Sequence, residues 1–322
     1  MAFDPKAATR APPKEVVIRI RRYNPVRGRS WWQEYKVKAY RGMTVLDALL
    51  TIKAEQDHTI VMRYSCRMGV CGSCGMIING TPRLACQTQL SEVATEANPV
   101  VTLEPLMNFP TLRDLSTDFM EFFNKHRTVK PYLIRKNIKE REDPKDQYLM
   151  TPEEMEEVYE FSLCISCGLC YASCPVTASD PEYLGPQALV HAARYVIDVR
   201  DEDPDSRLAV VDTEHGCHRC HFAGTCSAVC PKMVDPAQAI QRLRSILFKK
   251  KLGFWRKRKT APIAPPPKEW KERKPLPPEA QLVSPEVDIE AMEREPVIIE
   301  VDGMKVSLNF EIPNKMTAQD EG

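Results

Sequence analysis

The sequence predicts an α+β protein in two parts with an extended tail, on three observations. Residues 1–105 alternate strand and turn signals, residues 106–252 carry helix caps and helical periodicity, and residues 253–322 open with a crowd of prolines.

In the first part Val16, Ile18 and Ile20 alternate with Arg19 and Arg21, and Tyr35, Val37 and Ala39 alternate with Glu34, Lys36 and Lys38. A period of two marks half-buried strands. Thr44 and Asp47 form a capping-box pair ahead of Val45, Ala48, Leu49 and Ile52, which share one helical face. Two short apolar runs, Met76–Ile78 (closed by the turn signal Asn79-Gly80) and Val100–Leu103, complete a small mixed sheet around that helix.

In the second part Phe119, Phe122 and Phe123 fall on one helical face. Thr151-Pro152-Glu153-Glu154 supplies an N-cap, a first-turn proline and a capping carboxylate. Pro186 and Asp235-Pro236 start two more helices, the last running through Ile240, Leu243 and Leu247 into basic residues that suit a helix C-terminus. The tail holds Pro262, Pro265, Pro266, Pro267, Pro275, Pro277 and Pro278, an extended linker by composition. It then offers Val297–Val301, Asp302-Gly303 and alternating Met304, Val306, Leu308, Phe310 and Ile312, a hairpin pattern.

The chain has 322 residues, 43% of them hydrophobic, with 45 basic against 44 acidic side chains. So even a balance argues against a general nucleic-acid binder, which relies on neutralising phosphates. No apolar run reaches the roughly 18 residues of a membrane-spanning helix. Met1–Lys14 lacks the apolar stretch of a secretory signal and is not the acidic-poor sequence of a transit peptide, so the chain is expected to stay where it is made. Twelve cysteines in such a chain read as metal ligands before they read as disulfides.

Cys66, Cys71 and Cys74 have C-x4-C-x2-C spacing, with Cys86 following, the plant-type ferredoxin pattern for a 2Fe-2S cluster. Gly69, Gly72 and Gly75 let the loop wrap closely and aim its amides at sulfur. A four-cysteine zinc site is the competing reading, but zinc sites usually present two compact C-x2-C knuckles.

Cys164, Cys167, Cys170 and Cys174 with Pro175 spell C-x2-C-x2-C-x3-C-P, in which the fourth cysteine ligates a second cluster. The partner motif is Cys220, Cys226, Cys230 and Pro231, with Ala223 where its second cysteine would stand. Crossing the fourth ligands gives Cys164, Cys167, Cys170 and Cys230 to a 4Fe-4S cluster. Cys174, Cys220 and Cys226 supply three thiolates, which suit a 3Fe-4S cluster because alanine cannot hold a fourth iron. Cys217 is left over, either a surrogate ligand or an inert thiol.

Together these motifs resemble the iron-sulfur subunit of succinate dehydrogenases and fumarate reductases. The resemblance covers about residues 15–250 and rests on Arg63–Cys74, Val101–Pro110, Cys164–Pro175 and Cys220–Pro236 in matching order and spacing. It implies an N-terminal β-grasp ferredoxin domain with the 2Fe-2S cluster and an all-α, bacterial-ferredoxin-like domain with the other two. It further implies a flavoprotein partner with covalent FAD, one or more membrane anchor subunits with or without haem b, and one-electron transfer between FAD and quinone in the respiratory chain and tricarboxylic acid cycle. Such a subunit is expected at the cytoplasmic face of the cell membrane, held peripherally by its anchor, with cofactors doing the redox chemistry and protein setting position and field.

By the same resemblance Pro175 and His221 border a quinone site beside the three-iron centre, where an imidazole can donate or relay a proton. His218 reads as a surface residue. Three departures stand out. Val176-Thr177-Ala178 replaces tryptophans common in ubiquinone-linked members, which favours menaquinone. Arg244, counted with the quinone vicinity, replaces a common lysine and changes donor geometry. The tail beyond about residue 250 has no counterpart, and its hairpin is expected to pair with a sheet edge or clasp a partner. At the junction, Lys249–Lys251 and Arg256–Lys259 flank Phe254 and Trp255, a patch for anionic headgroups or a solvated helix end. Competing functions are a free ferredoxin-type carrier, a subunit of a related soluble fumarate reductase, and a zinc interaction module.

Overall fold

Alternation in the first two strands decides the architecture of the N-terminal part. The structure, a computed structural model, describes residues 11–137, 139–142, 147–256, 263–264, 297–301 and 304–308. Strands β1 (Glu15–Asn24) and β2 (Arg29–Lys38) form an antiparallel hairpin with Val16 opposite Val37 and Ile18 opposite Tyr35. Val16, Ile18 and Ile20 are wholly buried, as the period of two requires. Helix α1 (Val45–Glu55) begins at Thr44, whose hydroxyl accepts from the Asp47 amide while the Asp47 carboxylate accepts from the Thr44 amide. Its buried face holds Val45, Leu46, Ala48, Leu49 and Ile52.

Strand β3 (Gly75–Ile78) turns through Asn79 and Gly80, both at positive φ, into β4 (Thr81–Leu84). The short helix α2 (Leu90–Val93) precedes β5 (Val100–Glu104). The five strands lie in the order β2-β1-β5-β3-β4, with β1 and β5 parallel and the other pairs antiparallel. Strand β4 was not foreseen from the sequence, and it contains Pro82. As the edge strand, β4 tolerates a residue that cannot donate to a ladder.

The hairpin β6 (Thr111–Arg113) and β7 (Ser116–Thr117) leads into helix α3 (Met120–Thr128). Phe119 stacks on Phe109 with ring centroids 4.4 Å apart, Phe122 meets both Phe109 and Tyr171, and Phe123 packs edge-on against Phe122. This aromatic cluster carries the N-terminal core past residue 105, to Phe122, Leu169 and Tyr171.

There follow α4 (Lys139–Glu142), β8 (Gln147–Tyr148), α5 (Pro152–Ser162), α6 (Leu169–Ala172), α7 (Pro175–Ser179), α8 (Pro186–Ile197), α9 (Pro204–Val211), a 3₁₀ turn at Cys217–Arg219, α10 (Thr225–Ala228), α11 (Pro236–Lys251) and β9 (Ile263–Ala264), which pairs with β8. Thr151 and Glu154 make the expected capping box for α5. A second core, centred on α8 and α11, gathers Phe161, Tyr183, Leu189, Leu208, Ile240 and Leu243. Helix α9 was not foreseen, although Asp203-Pro204 repeats the Asp-Pro signature of α11 and Asp203 caps it in the same way.

Met1–Pro265 and Pro266–Gly322 are separate units. The second contains the hairpin β10 (Val297–Val301) and β11 (Met304–Leu308), with Val301 opposite Met304, as the alternation predicts. Phe310, Ile312 and nearly all of the proline-rich linker lie outside the described residues.

One polar group is locked inside the N-terminal part. The Arg22 guanidinium donates to Asp114 (3.0 Å), Asp57 (2.6 Å), Tyr35 (2.8 Å) and Thr59 (2.9 Å). Burial works to raise the Asp57 pKa, but hydrogen bonds from Thr59, Tyr35 and Arg22 outweigh it and hold the carboxyl well below the usual range. A depressed folded pKa adds stability that is fully present above the unfolded value of about 4 and is lost as pH falls towards the folded one. Asp57→Asn should therefore flatten the acid limb of a stability-against-pH curve while lowering stability at neutral pH.

Candidate functional site

Eleven of the predicted ligands fall into three groups, each built from a turn that only particular backbone conformations allow. In the first loop Arg67, Gly69 and Gly72 all have positive φ. That curls the chain so its amides point inward at sulfur. Met68, Val70 and Cys71 donate to Cys66 Sγ at 3.5, 3.3 and 3.2 Å, Cys66 N donates to Cys71 Sγ (3.4 Å), Gly69 N to Cys86 Sγ (3.2 Å) and Cys86 N to Cys74 Sγ (3.4 Å). The four sulfurs thus form one connected set. The amides of Met68, Cys71 and Val70 pull the Cys66 thiol down to about 6, whereas burial pushes Cys74 up to about 12.

The second and third groups share one backbone plan. Ser166 and Gly168 have φ of 53° and 79° on either side of Cys167, and α6 follows. Phe222 and Gly224 have φ of 56° and 73° on either side of Ala223, and α10 follows. Ala223 therefore stands in the third loop where Cys167 stands in the second.

Two cavities sort the sulfurs. Cys164, Cys167, Cys170 and Cys230 line one, together with Gln187 and Pro231. Cys174, Cys220 and Cys226 line the other, with Ala223, Pro175, His221 and Tyr183. Each last cysteine is thus found in the wall of the other motif's cavity. Among the described residues no three His, Cys, Asp or Glu converge on a point that would hold a single metal ion.

Burial pushes Cys167 up to about 12, Cys226 to about 11 and Cys170 well above its usual value. Thiolates in such places need positive charge beside them, which iron supplies. Inward amides, buried sulfurs and cavities walled by cysteine fit iron-sulfur clusters.

The first and second groups touch. A Cβ on Gly72 would lie 2.7 Å from Cys167 Cβ and 2.9 Å from its Cα, and one on Gly75 would lie 3.1 Å from Leu169. Asn108, at φ 64°, clamps the junction by donating to the carbonyls of Tyr171 (3.0 Å), Ala172 (3.0 Å) and Cys174 (3.2 Å). Lys125 is buried beneath it and donates to Tyr171 Oη (3.0 Å) and the Tyr183 carbonyl (2.9 Å). Neither was singled out from sequence. Asn108 lies inside the quoted segment Val101–Pro110, and an asparagine before a Phe-Pro pair was its available signal. Asn108→Leu, which strips three buried carbonyls of their donor, should cost about 1–3 kcal/mol, read as a lower thermal midpoint.

The quinone-vicinity residues separate. Pro175 and His221 line the three-cysteine cavity. Arg244 instead donates to the carbonyls of Cys217 (2.9 Å), His218 (2.9 Å) and Cys220 (2.6 Å), holding the loop from the α11 side. Cys217 is fully buried, outside the lining of both cavities, and burial pushes its thiol up to about 11. His218 is exposed and bonds Asp212 at 2.7 Å. In the basic patch, Lys250 pairs with Asp205 and Lys251 with Asp212, while Phe254 is largely exposed.

Residues 17–124 match the model of a 2Fe-2S iron-sulfur cluster binding domain, and residues 160–234 that of a 4Fe-4S dicluster domain. The chain is 44% identical over 230 residues to a fumarate reductase iron-sulfur subunit of Mycobacterium tuberculosis, covering 71% of this chain and 91% of that one. It is 39% identical over 234 residues to the corresponding subunit of Haemophilus influenzae, covering 70% and 90%. A chain in the structure of the Mycobacterium smegmatis Sdh1 complex in the apo form superposes with a TM-score of 0.66 at 28% identity, over 74% of this chain and 97% of that one.

Proposed function

The chain belongs to the iron-sulfur electron-transfer subunits of fumarate reductases and succinate dehydrogenases, and from that premise we propose the finer assignment of its centres, partners and electron route. Cys66, Cys71, Cys74 and Cys86 hold a 2Fe-2S cluster. Cys164, Cys167, Cys170 and Cys230 hold a 4Fe-4S cluster, and Cys174, Cys220 and Cys226 a 3Fe-4S cluster. The observation that carries the crossed assignment is the pair of cavities, each walled by one complete cysteine set, with Ala223 in the second.

When bound, the clusters supply one-electron redox chemistry between a two-electron flavin and a quinone. The chain's own residues position them. The Gly72–Cys167 contact brings the first two cysteine loops together. The packing of α6 against α10, with Thr225 Oγ1 donating to the Ser173 carbonyl at 3.0 Å, joins the second and third. That order supports a path from the FAD of a flavoprotein subunit to the 2Fe-2S, 4Fe-4S and 3Fe-4S centres and on to quinone.

Pro175 and His221 border the quinone end, and Arg244 keeps their loop in place through its three carbonyls. Menaquinone is the favoured acceptor, on the Val176-Thr177-Ala178 segment. No described helix is long and apolar enough to cross a membrane, and attachment at the cytoplasmic face through anchor subunits, with or without haem b, belongs to the same proposal. So does the division into residues 1–105, 106–252 and 253–322, which the change from strands to helices supports.

The test is EPR of the complex purified from native membranes, with flavin and quinone analysis. A three-iron signal in the oxidised protein is expected, and Ala223→Cys should convert it to a fourth-iron centre of lower potential, because a fourth thiolate adds negative charge. A four-iron signal at that site in the unaltered protein would sink the assignment. Purification without flavoprotein or anchor would point to a free carrier.

A further inference from the structure

One polar side chain in the wall of the four-cysteine cavity has no role in the assignment above. Gln187, in the first turn of α8, is 1% exposed. Its Nε2 donates to Ser166 Oγ (3.1 Å) and faces His126 Nδ1 at 2.9 Å, while its Oε1 is buried with no partner. A buried carbonyl in that state is costly, and native proteins usually answer such a group with a partner. The two ends of an amide are nearly the same shape, so the surrounding network decides which is which.

Turning the amide over resolves the defect. Oε1 then sits between two donors, the Ser166 hydroxyl and the Nδ1–H tautomer of His126. The NH2 group moves to where Oε1 stood, in the wall of that cavity, and needs an acceptor, which a sulfide of the bound centre would supply. The tautomer is open to His126 because burial, followed by the charge of Arg127, keeps that ring's pKa low and the ring neutral. Its neighbour His191, set edge-on with ring centroids 4.6 Å apart, is pushed down to about 3 by burial, then by His126 and Arg194. Both His191 nitrogens lack a partner, so neither is bonded to the amide.

We propose that Gln187, fixed by His126 and Ser166, donates an N–H···S hydrogen bond to the centre held by Cys164, Cys167, Cys170 and Cys230 and thereby raises its reduction potential. A donor at sulfur stabilises the reduced centre, which carries the extra negative charge. The inference rests on the ligand assignment proposed above.

The experiment is an EPR-monitored redox titration of all three centres in the purified complex. Gln187→Leu should lower the midpoint of the four-iron centre alone, by about a tenfold change in its reduction equilibrium, ~59 mV for one electron. His126→Phe should shift it the same way by less, since the amide keeps only Ser166. An unchanged midpoint with the signal intact, an upward shift, or an equal shift in all three centres would overturn the proposal. Should Gln187→Leu fail to load its cluster, pulsed EPR of the reduced unaltered protein carrying side-chain 15N-glutamine must show a nitrogen coupling to that centre, and its absence is equally fatal. Cys164→Ser separates this idea from its premise: if the four-iron signal is indifferent to it, the ligand assignment fails and not the hydrogen bond.

Discussion

Gly72→Val should slow electrons between the first and second centres while leaving the first able to form. Gly72 has φ of +72°, and its Cβ would meet the Cα and Cβ of Cys167 at 2.9 and 2.7 Å. The Cα of Cys167 is backbone of a ligand loop and cannot swing aside like the end of a flexible side chain, so the two loops must part. A branched side chain in the left-handed region adds about 1–2 kcal/mol of strain. The expected readout is a 2Fe-2S signal still reduced on adding the flavoprotein's substrate, with the two later signals appearing more slowly than in the unaltered protein. Gly80→Ala is the control: its φ is +77° but nothing lies within 4 Å of the added Cβ, so it carries backbone strain without the collision. If both variants slow transfer equally, contact between the loops is not what matters.

Arg207→Met should unfold the helical region more readily than any surface change. Arg207 and Asp201 are both wholly buried, joined at 2.7 Å. The same guanidinium donates to the carbonyls of Lys130, Tyr132 and Asp203, tying the segment after α3 to α9. Removing it leaves a carboxylate in a dry interior, a loss of about 3–5 kcal/mol. Calorimetry of the complex should show a lower thermal midpoint for this subunit. Adding Asp201→Leu to Arg207→Met should recover part of the loss, because the stranded charge goes too. A double variant less stable than the single one would show that the bonds Asp201 accepts from the Ile134 and Asp203 amides outweigh its stranded charge.

Much of this molecule could be read from local chemistry. The Thr44–Asp47 and Thr151–Glu154 boxes, the Asn79-Gly80 turn and the alternation of β1 are rules acting within a few residues, and each appears where the sequence puts it. The spacing of the cysteines within each motif is itself local, and the structure gathers those of the last two motifs in the walls of two cavities as that spacing and the crossing predict. What escaped was non-local or context-bound: β4, permitted by its place at the sheet edge, and Asn108 and Lys125, whose partners lie 46 or more positions along the chain. Gln187 and His126 are similarly remote, 61 positions apart, and no periodicity announces such a pair. Arg244 was counted with the quinone vicinity, whereas the structure shows it bonded to the carbonyls of Cys217, His218 and Cys220.

The two loops around Cys167 and Ala223 copy one backbone plan, and each cavity borrows its last wall from the other motif. On the crossed assignment proposed above, maturation of the last two centres is a joint event. A nascent chain ending after Cys174 would own neither of these two cavities in full, so the four-cysteine site cannot be completed during synthesis until Cys230 emerges, whereas the set Cys66–Cys86 needs nothing beyond Cys86. Iron-sulfur loading machinery would meet a pair of half-sites that become whole together, which makes a lesion at either motif a defect of both.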